Sequence, residues 1–551
     1  MAQDALDKAF LAELEALEKF RISYTGIYPS TPLSREDPDI RRLIEALAMF
    51  SARTRLAAEH SIDQSMLRVF RQHFPYLLDP SPAMVMLSAV PTARYVDATE
   101  LPAGTEVYLV ERAGKPTPRA FRMRTQARLR ILPLELDGLD IQRTRARTYR
   151  ILFRFTADFR RNDDIGELNL YVNHLDDLAS SIAVLYALKQ HHRAASVTFE
   201  ERINEETRGQ PCEVYFGPPE GARGDLDQSE HPLSRVRSFM HCPWQELYIN
   251  FKGIKPPRNW QSFTVILDMK DTWPTELRLT PDGFFLHVVP AVNVRQDAAR
   301  PIETDGTKER HPLRHPDETS RYVLQRILGV YLMSAAGLVP LQPGVVGAKQ
   351  KSWEVIYDGR DEARRAWLAL NLPEAFDEPQ RITVDAVWHQ PSLRGMSAED
   401  FRVKLADRFV DGVEWSTCGP LSAPADSALT DDRDGLLRLL SIKNQRFLGT
   451  DDLVYLAAAL GATQELHFAG LISAIQDVTV TPKPFAKQSH GFKYVYELTF
   501  DDLDESDLPR LDLLCRRLLD ALAAWSVEEV VEIEAKVKNL GRTLLYEQAA
   551  R

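Results

Sequence analysis

The sequence predicts a multidomain α+β protein. Its parts are a helical N-terminal segment (residues 1–80), a β-rich domain with an α+β insertion (81–305), a second β-rich domain (306–425) and a C-terminal α+β domain (426–551). Three observations predict this. At 551 residues the chain is too long for one hydrophobic core. Apolar residues recur every three or four positions near both ends, whereas between them they fall into short runs punctuated by proline. A polar, proline-containing stretch over residues 300–320 separates the two β-rich blocks.

At the N-terminus Asp4 can cap a helix whose apolar side is Leu6, Phe10, Leu14 and Leu17. That stripe can serve the chain's own core or a partner's. Pro29 and Pro32 break the next stretch, and Asp37-Pro38 restarts a helix with the stripe Ile40, Leu43, Ile44, Leu47 and Phe50. Ser61-Ile62-Asp63-Gln64 fits a capping box and predicts a third helix, stopped near Pro75.

Short strands are expected over residues 84–90, 106–110, 119–132 and 149–156. The third alternates Phe121, Met123, Ala127, Leu129 and Ile131 with Arg122, Arg124, Arg128 and Arg130, so one face is core and the other basic. The arginine row fits a solvated face, a protein-docking surface or a grip on nucleic acid. A strand, a helix and a strand follow over residues 168–172, 178–189 and 195–199, then a polar loop over 201–230 and strands over 246–251 and 263–269. Residues 284–289 (Phe, Phe, Leu, His, Val, Val), bounded by Pro281-Asp282-Gly283 and Pro290, are expected to be one buried strand near the middle of the chain and the hub of the architecture.

Beyond the polar linker, strands are expected over 322–331, 353–357 and 381–388, with a helix over 361–370. In the last block Thr450 can cap a helix closed by Gly461, a short helix spans 464–475, and strands follow over 478–480 and 494–500. A long helix from Asp507 would bury Leu511, Leu514, Leu518, Leu519 and Leu522. The final strand alternates Val531, Ile533, Ala535 and Val537 with Glu532, Glu534, Lys536 and Lys538.

Composition narrows the function. A formal charge of −11 opposes nonspecific binding to nucleic acid, which draws on an excess of Lys and Arg. No window approaches the roughly 20 apolar residues that span a bilayer, and the acidic N-terminus does not resemble a secretory signal, so a cytoplasmic protein is expected. Cys212, Cys242, Cys418 and Cys515 lack close spacing and are expected to be small buried residues.

There is no GxxxxGK[ST], no GxGxxG after a strand, no GxSxG and no HExxH. His311 and His315 are flanked by prolines that oppose a shared helical face, and with His231, His241 and Cys242 scattered elsewhere they suit a hydrated loop better than a metal site. His191-His192 suits a helix C-terminus, Asp163-Asp164 a turn, Asp451-Asp452 a helix start, and His287 a hydrogen-bonded core position. No catalytic residue, metal or cofactor is expected.

Four stretches and the hub together resemble the TssF (VasA/ImpG) family, baseplate wedge subunits of type VI secretion systems. They are DPDIRRLIEALAMFSARTR (37–55), FRQHFPYLLDPSPAMVML (70–87), LNLYVNHLDDLASSIAVLYAL (168–188) and HPLSRVRSFMHCPWQELYINF (231–251), with LRLTPDGFFLHVVPAVNVRQDAARPI (277–302) as the hub, in the family's order. The resemblance implies structural work without enzyme activity, and a relation to wedge proteins of contractile-tailed phages. It implies two copies paired with one TssG-like partner, a TssK-like adaptor, and TssE-like and VgrG-like hub proteins under a contractile sheath. The membrane would be reached only indirectly, through the membrane complex. Helical ends would join partner helices, so Leu6, Phe10, Leu14, Leu17, Arg122, Arg124, Arg128 and Arg130 are the candidate partner-binding residues. The competing readings are a cytoplasmic α+β enzyme with an interdomain site and a nucleic-acid module using the arginine row.

Overall fold

The computed structural model describes residues 2–30, 37–74, 76–112, 118–204, 206–219, 231–334, 337–344, 350–358, 365–373, 378–406, 410–427, 429, 432–443, 445–463, 466–484, 492–526 and 530–548. They form two compact units, one of residues 1–75 with 431–441, the other of residues 76–430 with 442–551.

The first unit is a helical hairpin together with most of the helix Arg433–Lys443. Helix α1 (Ala2–Ile27) runs on past the expected stripe, through Tyr24. Helix α2 (Pro38–His73) is a single 36-residue helix, where two were expected. The Asp37 carboxylate accepts from the Asp39 N–H, and Pro38 takes the first turn, where its missing N–H leaves nothing unsatisfied. The Ser61 signature starts no helix. It lies mid-helix, where Ser65 Oγ bonds back to the Ser61 carbonyl at 2.8 Å and the helix carries on. The two helices pack together, with Glu13 of α1 accepting from Ser51 Oγ of α2 at 2.9 Å. Ala48 and Ala52 are fully buried, and such small side chains let helices approach closely.

The second unit is built on sheets. A six-stranded antiparallel sheet has the order Phe401–Leu405, Glu106–Glu111, Ala120–Thr125, Val288–Val292, Met84–Pro91, Val413–Thr417. An eight-stranded sheet has the order Phe284–Leu286, Gly166–Val172, Tyr248–Ile254, Gln210–Phe216, His192–Thr198, Trp260–Met269, Tyr149–Arg161, Glu135–Arg143. Helix α3 (Leu178–His191) is the expected insertion helix, capped by Asp177. The strand Gln210–Phe216 corrects the expectation of a loop over 201–230, of which residues 220–230 lie outside the described residues.

The hub is two strands, and this too is a correction. His287 adopts φ +54°, which ends Phe284–Leu286 in the eight-stranded sheet and starts Val288–Val292 in the six-stranded one. Val288 and Val292 then face the core shared with the eight-stranded sheet, while Val289 and Ala291 face a separate core with Val85, Leu87, Val107 and Leu109. Both faces are buried. The run therefore lacks the polar alternation of a half-exposed strand.

A five-stranded sheet (Arg295–Ala298, Gln380–His389, Val323–Ser334 and Gly337–Pro340, with Ile302–Thr304 against Gln380–His389) shares a core with a four-stranded one (Arg310–Pro312, Arg365–Asn371, Ser352–Asp358, Gln342–Pro343). Residues 300–320 thus contribute two strands in place of a plain linker. Residues 365–370 are strand where helix was expected, since pairing with Ser352–Asp358 overrides the local helical pattern; residues 361–364 lie outside the described residues. The chain then returns to the six-stranded sheet through residues 401–417, so sheets and sequence segments do not coincide.

In the last block, helix α6 (Thr450–Ala459) follows α5 (Arg433–Lys443) and is capped at Gly449, while Thr450 Oγ1 accepts from the Val478 N–H at 2.9 Å, a role other than the cap expected of it. Gly461 has φ +98°, the left-handed closure expected. Helix α7 (Leu466–Ser473) leads to a four-stranded sheet ordered Ile475–Pro484, Phe492–Phe500, Val530–Val537, Arg542–Glu547. Helix α8 (Leu508–Trp525) is the crossover between the two parallel strands and buries all five expected leucines. Val531, Ile533, Ala535 and Val537 are buried as expected, although Arg542–Glu547 is the last strand. Arg517 of α8 pairs with buried Glu246, and Lys189 of α3 with Asp512 at 3.2 Å, which ties α8 to the eight-stranded block.

Candidate assembly surfaces

On α1, Leu6, Phe10, Leu14 and Leu17 are half-buried and lie on the face that carries Glu13, which bonds α2. The stripe therefore looks inward to the hairpin. Other apolar side chains look outward: Leu11 and Phe20 on α1, and Leu43, Leu47 and Phe50 on α2, the last 71% exposed. Leu43, Leu47 and Phe50 follow one another at four and three residues and share one face. Ile44, Ala48 and Ala52 lie roughly 120° around the helix, at about 100° per residue. The α2 stripe expected from sequence is thus two faces, one used within the hairpin and one open. Its width was the available signal, because an arc running from Leu43 to Ala52 is wider than one partner helix covers.

The arginine row is largely engaged. Arg122 Nη2 donates to Tyr108 OH at 2.8 Å and its Nε pairs with Glu106 at 3.2 Å. Arg128 pairs with Glu100 at 3.3 Å, and the Arg130 guanidinium donates to the Asp164 carbonyl. Arg124 lies over Gly104, whose φ of +83° and missing Cβ leave room for it. The pairing also splits the expected strand, since Ala120–Thr125 belongs to the six-stranded sheet while Leu129–Ile131 pairs with Thr99–Leu101.

Most histidines singled out from the sequence are held by hydrogen bonds or packing. His287 Nε2 accepts from the Leu132 N–H at 3.1 Å, and burial pushes its pKa down to about 4. His241 ends α4 (Pro232–His241), donates from Nε2 to the Pro82 carbonyl at 2.9 Å, and is likewise pushed to about 4 by burial, with Arg237 adding a smaller effect. His231 Nδ1 accepts from the Leu233 N–H at the start of α4. His191 Nδ1 lies 3.0 Å from Thr272 Oγ1. His311 and His315 are buried, which corrects the hydrated-loop expectation; His315 Nε2 meets Asp297 at 3.1 Å and is packed by Tyr322 and Trp388. Asp163 pairs with Arg161, and Asp451 and Asp452 sit in the first turn of α6. Burial raises the Cys212 and Cys418 thiols to about 11 and about 12, which keeps them protonated and poorly nucleophilic. Among the described residues no group of three or more His, Cys, Asp or Glu side chains is placed to hold a metal ion.

A cleft of about 620 Å³ is lined by Arg314, Arg321, Arg365, Tyr322 and Trp367 among others. It carries exposed guanidinium groups and aromatic rings. His315, the one imidazole on its wall, is held by Asp297 and the Asp317 N–H, and the Asp317 and Glu318 carboxylates line the cleft beside the guanidiniums.

Residues 23–363 match the family described as type VI secretion system, TssF. The chain belongs to the TssF family. The TssF match takes in α2, the α3 and α4 region and most of the two large sheets. Two solved structures share the fold. One comes from a TssK-TssF-TssG baseplate subcomplex of the type VI secretion system, at a TM-score of 0.73 and 16% identity, covering 93% of this chain and 99% of that one. The other comes from the baseplate complex of the type VI secretion system, at a TM-score of 0.59 and 17% identity, covering 98% of each chain. No curated protein matches significantly. No helix among the described residues is long and apolar enough to cross a membrane.

Proposed function

We propose that this TssF-family chain is a structural subunit of the baseplate wedge of a type VI secretion system. Two copies would join one TssG-like partner, with a TssK-like adaptor, around TssE-like and VgrG-like hub proteins beneath the sheath. On this reading the chain works on the cytoplasmic side, meets the membrane only through the membrane complex, and leaves bond-making to other molecules. The observation that carries the assembly reading is the open face Leu43, Leu47 and Phe50 on a two-helix hairpin. A long amphipathic helix with an outward apolar face is suited to completing a bundle with helices of another chain. The engaged arginines support folding of the chain itself, and the Arg314, Arg321 and Arg365 cleft offers a second, charged surface.

Co-expression with the TssG-like partner tests this. A complex of two copies to one partner is expected by native mass measurement. Phe50→Asp with Leu47→Asp should abolish it while leaving the far-ultraviolet circular dichroism and melting temperature of the chain alone unchanged, because both side chains are exposed. A complex that forms equally well with the double variant would overturn the role of this face, and a chain that stays monomeric beside the partner would overturn the assembly reading.

A further inference from the structure

Between α4, the six-stranded sheet and the five-stranded sheet lies a cavity of about 130 Å³. Three arginines from distant parts of the sequence line it: Arg124 at the end of Ala120–Thr125, Arg237 on α4 and Arg326 within Val323–Ser334. Arg237 is only 8% exposed. Its guanidinium donates from Nη1 to the Tyr76 carbonyl at 2.9 Å and meets no carboxylate within ion-pair distance among the described residues. The Arg326 Nε–H is buried with no acceptor among those residues. Arg124 likewise makes no side-chain hydrogen bond or ion pair within them.

Opposite these cations the lining holds one carboxylate, Asp79, and one imidazole, His241. The attraction of Asp79 for Arg237 is outweighed by burial, which lowers the arginine's pKa. His241 stays neutral, its Nε2–H engaged by the Pro82 carbonyl. Three arginines therefore share a partly desolvated lining with one acid, and the buried Arg237 together with the unpartnered Arg326 Nε–H favours a further anion there. Guanidinium forks match the paired oxygens of a phosphate or sulfate, and the cavity is well above the minimum of about 10 to 15 Å³ that a single water requires.

We propose that this cavity is a binding site for a small tetrahedral oxyanion of the phosphate or sulfate class, held by Arg124, Arg237 and Arg326. Bound there, the anion joins α4 to the two sheets and acts as a tie between parts of the unit that the chain connects only through long excursions.

The test uses the full-length chain in chloride buffer at pH 7.5, titrated with inorganic phosphate, sodium sulfate and sodium acetate at matched ionic strength. Thermal melting and titration calorimetry are the readouts. Phosphate and sulfate should each raise the melting temperature saturably and give one site per chain, and acetate should not. Arg326→Gln and Arg124→Gln, both at partly exposed positions, should weaken phosphate binding at least tenfold, and Arg314→Gln, outside the cavity, should leave it unchanged. Arg237→Gln should abolish binding; where burial of the change prevents folding, the other two variants decide. The site is overturned by the absence of a saturable phosphate effect, or by unchanged binding in Arg124→Gln and Arg326→Gln. An acetate effect equal to that of phosphate overturns the tetrahedral class.

Discussion

Acidification from pH 7 to pH 5 should destabilise this protein through two imidazoles it keeps neutral. His287 and His241 are buried and held near about 4, whereas in the unfolded chain each titrates near its ordinary value of 6.5. Between those values the unfolded state binds more protons than the folded one. Stability is therefore complete above pH 6.5 and is lost as pH falls towards 4. At roughly 1.4 kcal/mol per pH unit for each group, the fall to pH 5 costs about 2 kcal/mol per histidine and about 4 kcal/mol for the pair, as an upper figure. Carboxylates with ordinary or depressed pKa values add little in this window, since they take up protons mainly below it. Urea denaturation at pH 7 and pH 5 measures the difference. His287→Gln retains an acceptor for the Leu132 N–H, and His241→Gln retains a donor for the Pro82 carbonyl; each should remove a clear share of the loss, the remainder coming from His191, His192, His231 and His311, whose pKa values burial also lowers. Equal midpoints at both pH values, or an undiminished loss in the double variant, would refute the reasoning.

Three further outcomes are expected. Gly412→Ala should destabilise by about 2 kcal/mol or more in urea melts, because φ is +77° and the new Cβ would meet the Tyr95 backbone nitrogen at 2.7 Å. Arg517→Met should cost on the order of 3 kcal/mol by leaving the buried Glu246 carboxylate without its partner, and a thermal midpoint equal to that of the parent would contradict the pairing. Leu514→Ala, which removes a fully buried side chain from α8, should cost about 2 to 5 kcal/mol by the same measurement.

Local patterns carried much of this architecture. The five leucines of α8 and the alternation from Val531 to Val537 were legible because each element buries one face, and its period survives whatever it packs against. The hub was legible as buried and illegible as two strands: its side chains are apolar on both faces, and the break at His287 is set by strands that start far away, Met84–Pro91 and Gly166–Val172. The strand over Arg365–Asn371 was hidden for a similar reason, since its pairing partners outvote a helical local sequence. On α2 the apolar positions were all visible, but which would be covered depends on where α1 lies. Arg124, Arg237 and Arg326 have no common spacing, so their meeting is a product of the fold alone.

The six-stranded sheet has a consequence for biosynthesis. Leu87 is paired on one side with Val289 and on the other with Thr417, which leaves the ribosome about 200 and about 330 residues later. At roughly 5 to 20 residues per second, the first strand waits on the order of 15 to 65 s for its last neighbour. During that interval its unpaired edges and apolar faces are open to other nascent chains. The yield of this polypeptide in cells is therefore expected to respond to translation speed and to chaperones that shield exposed strands.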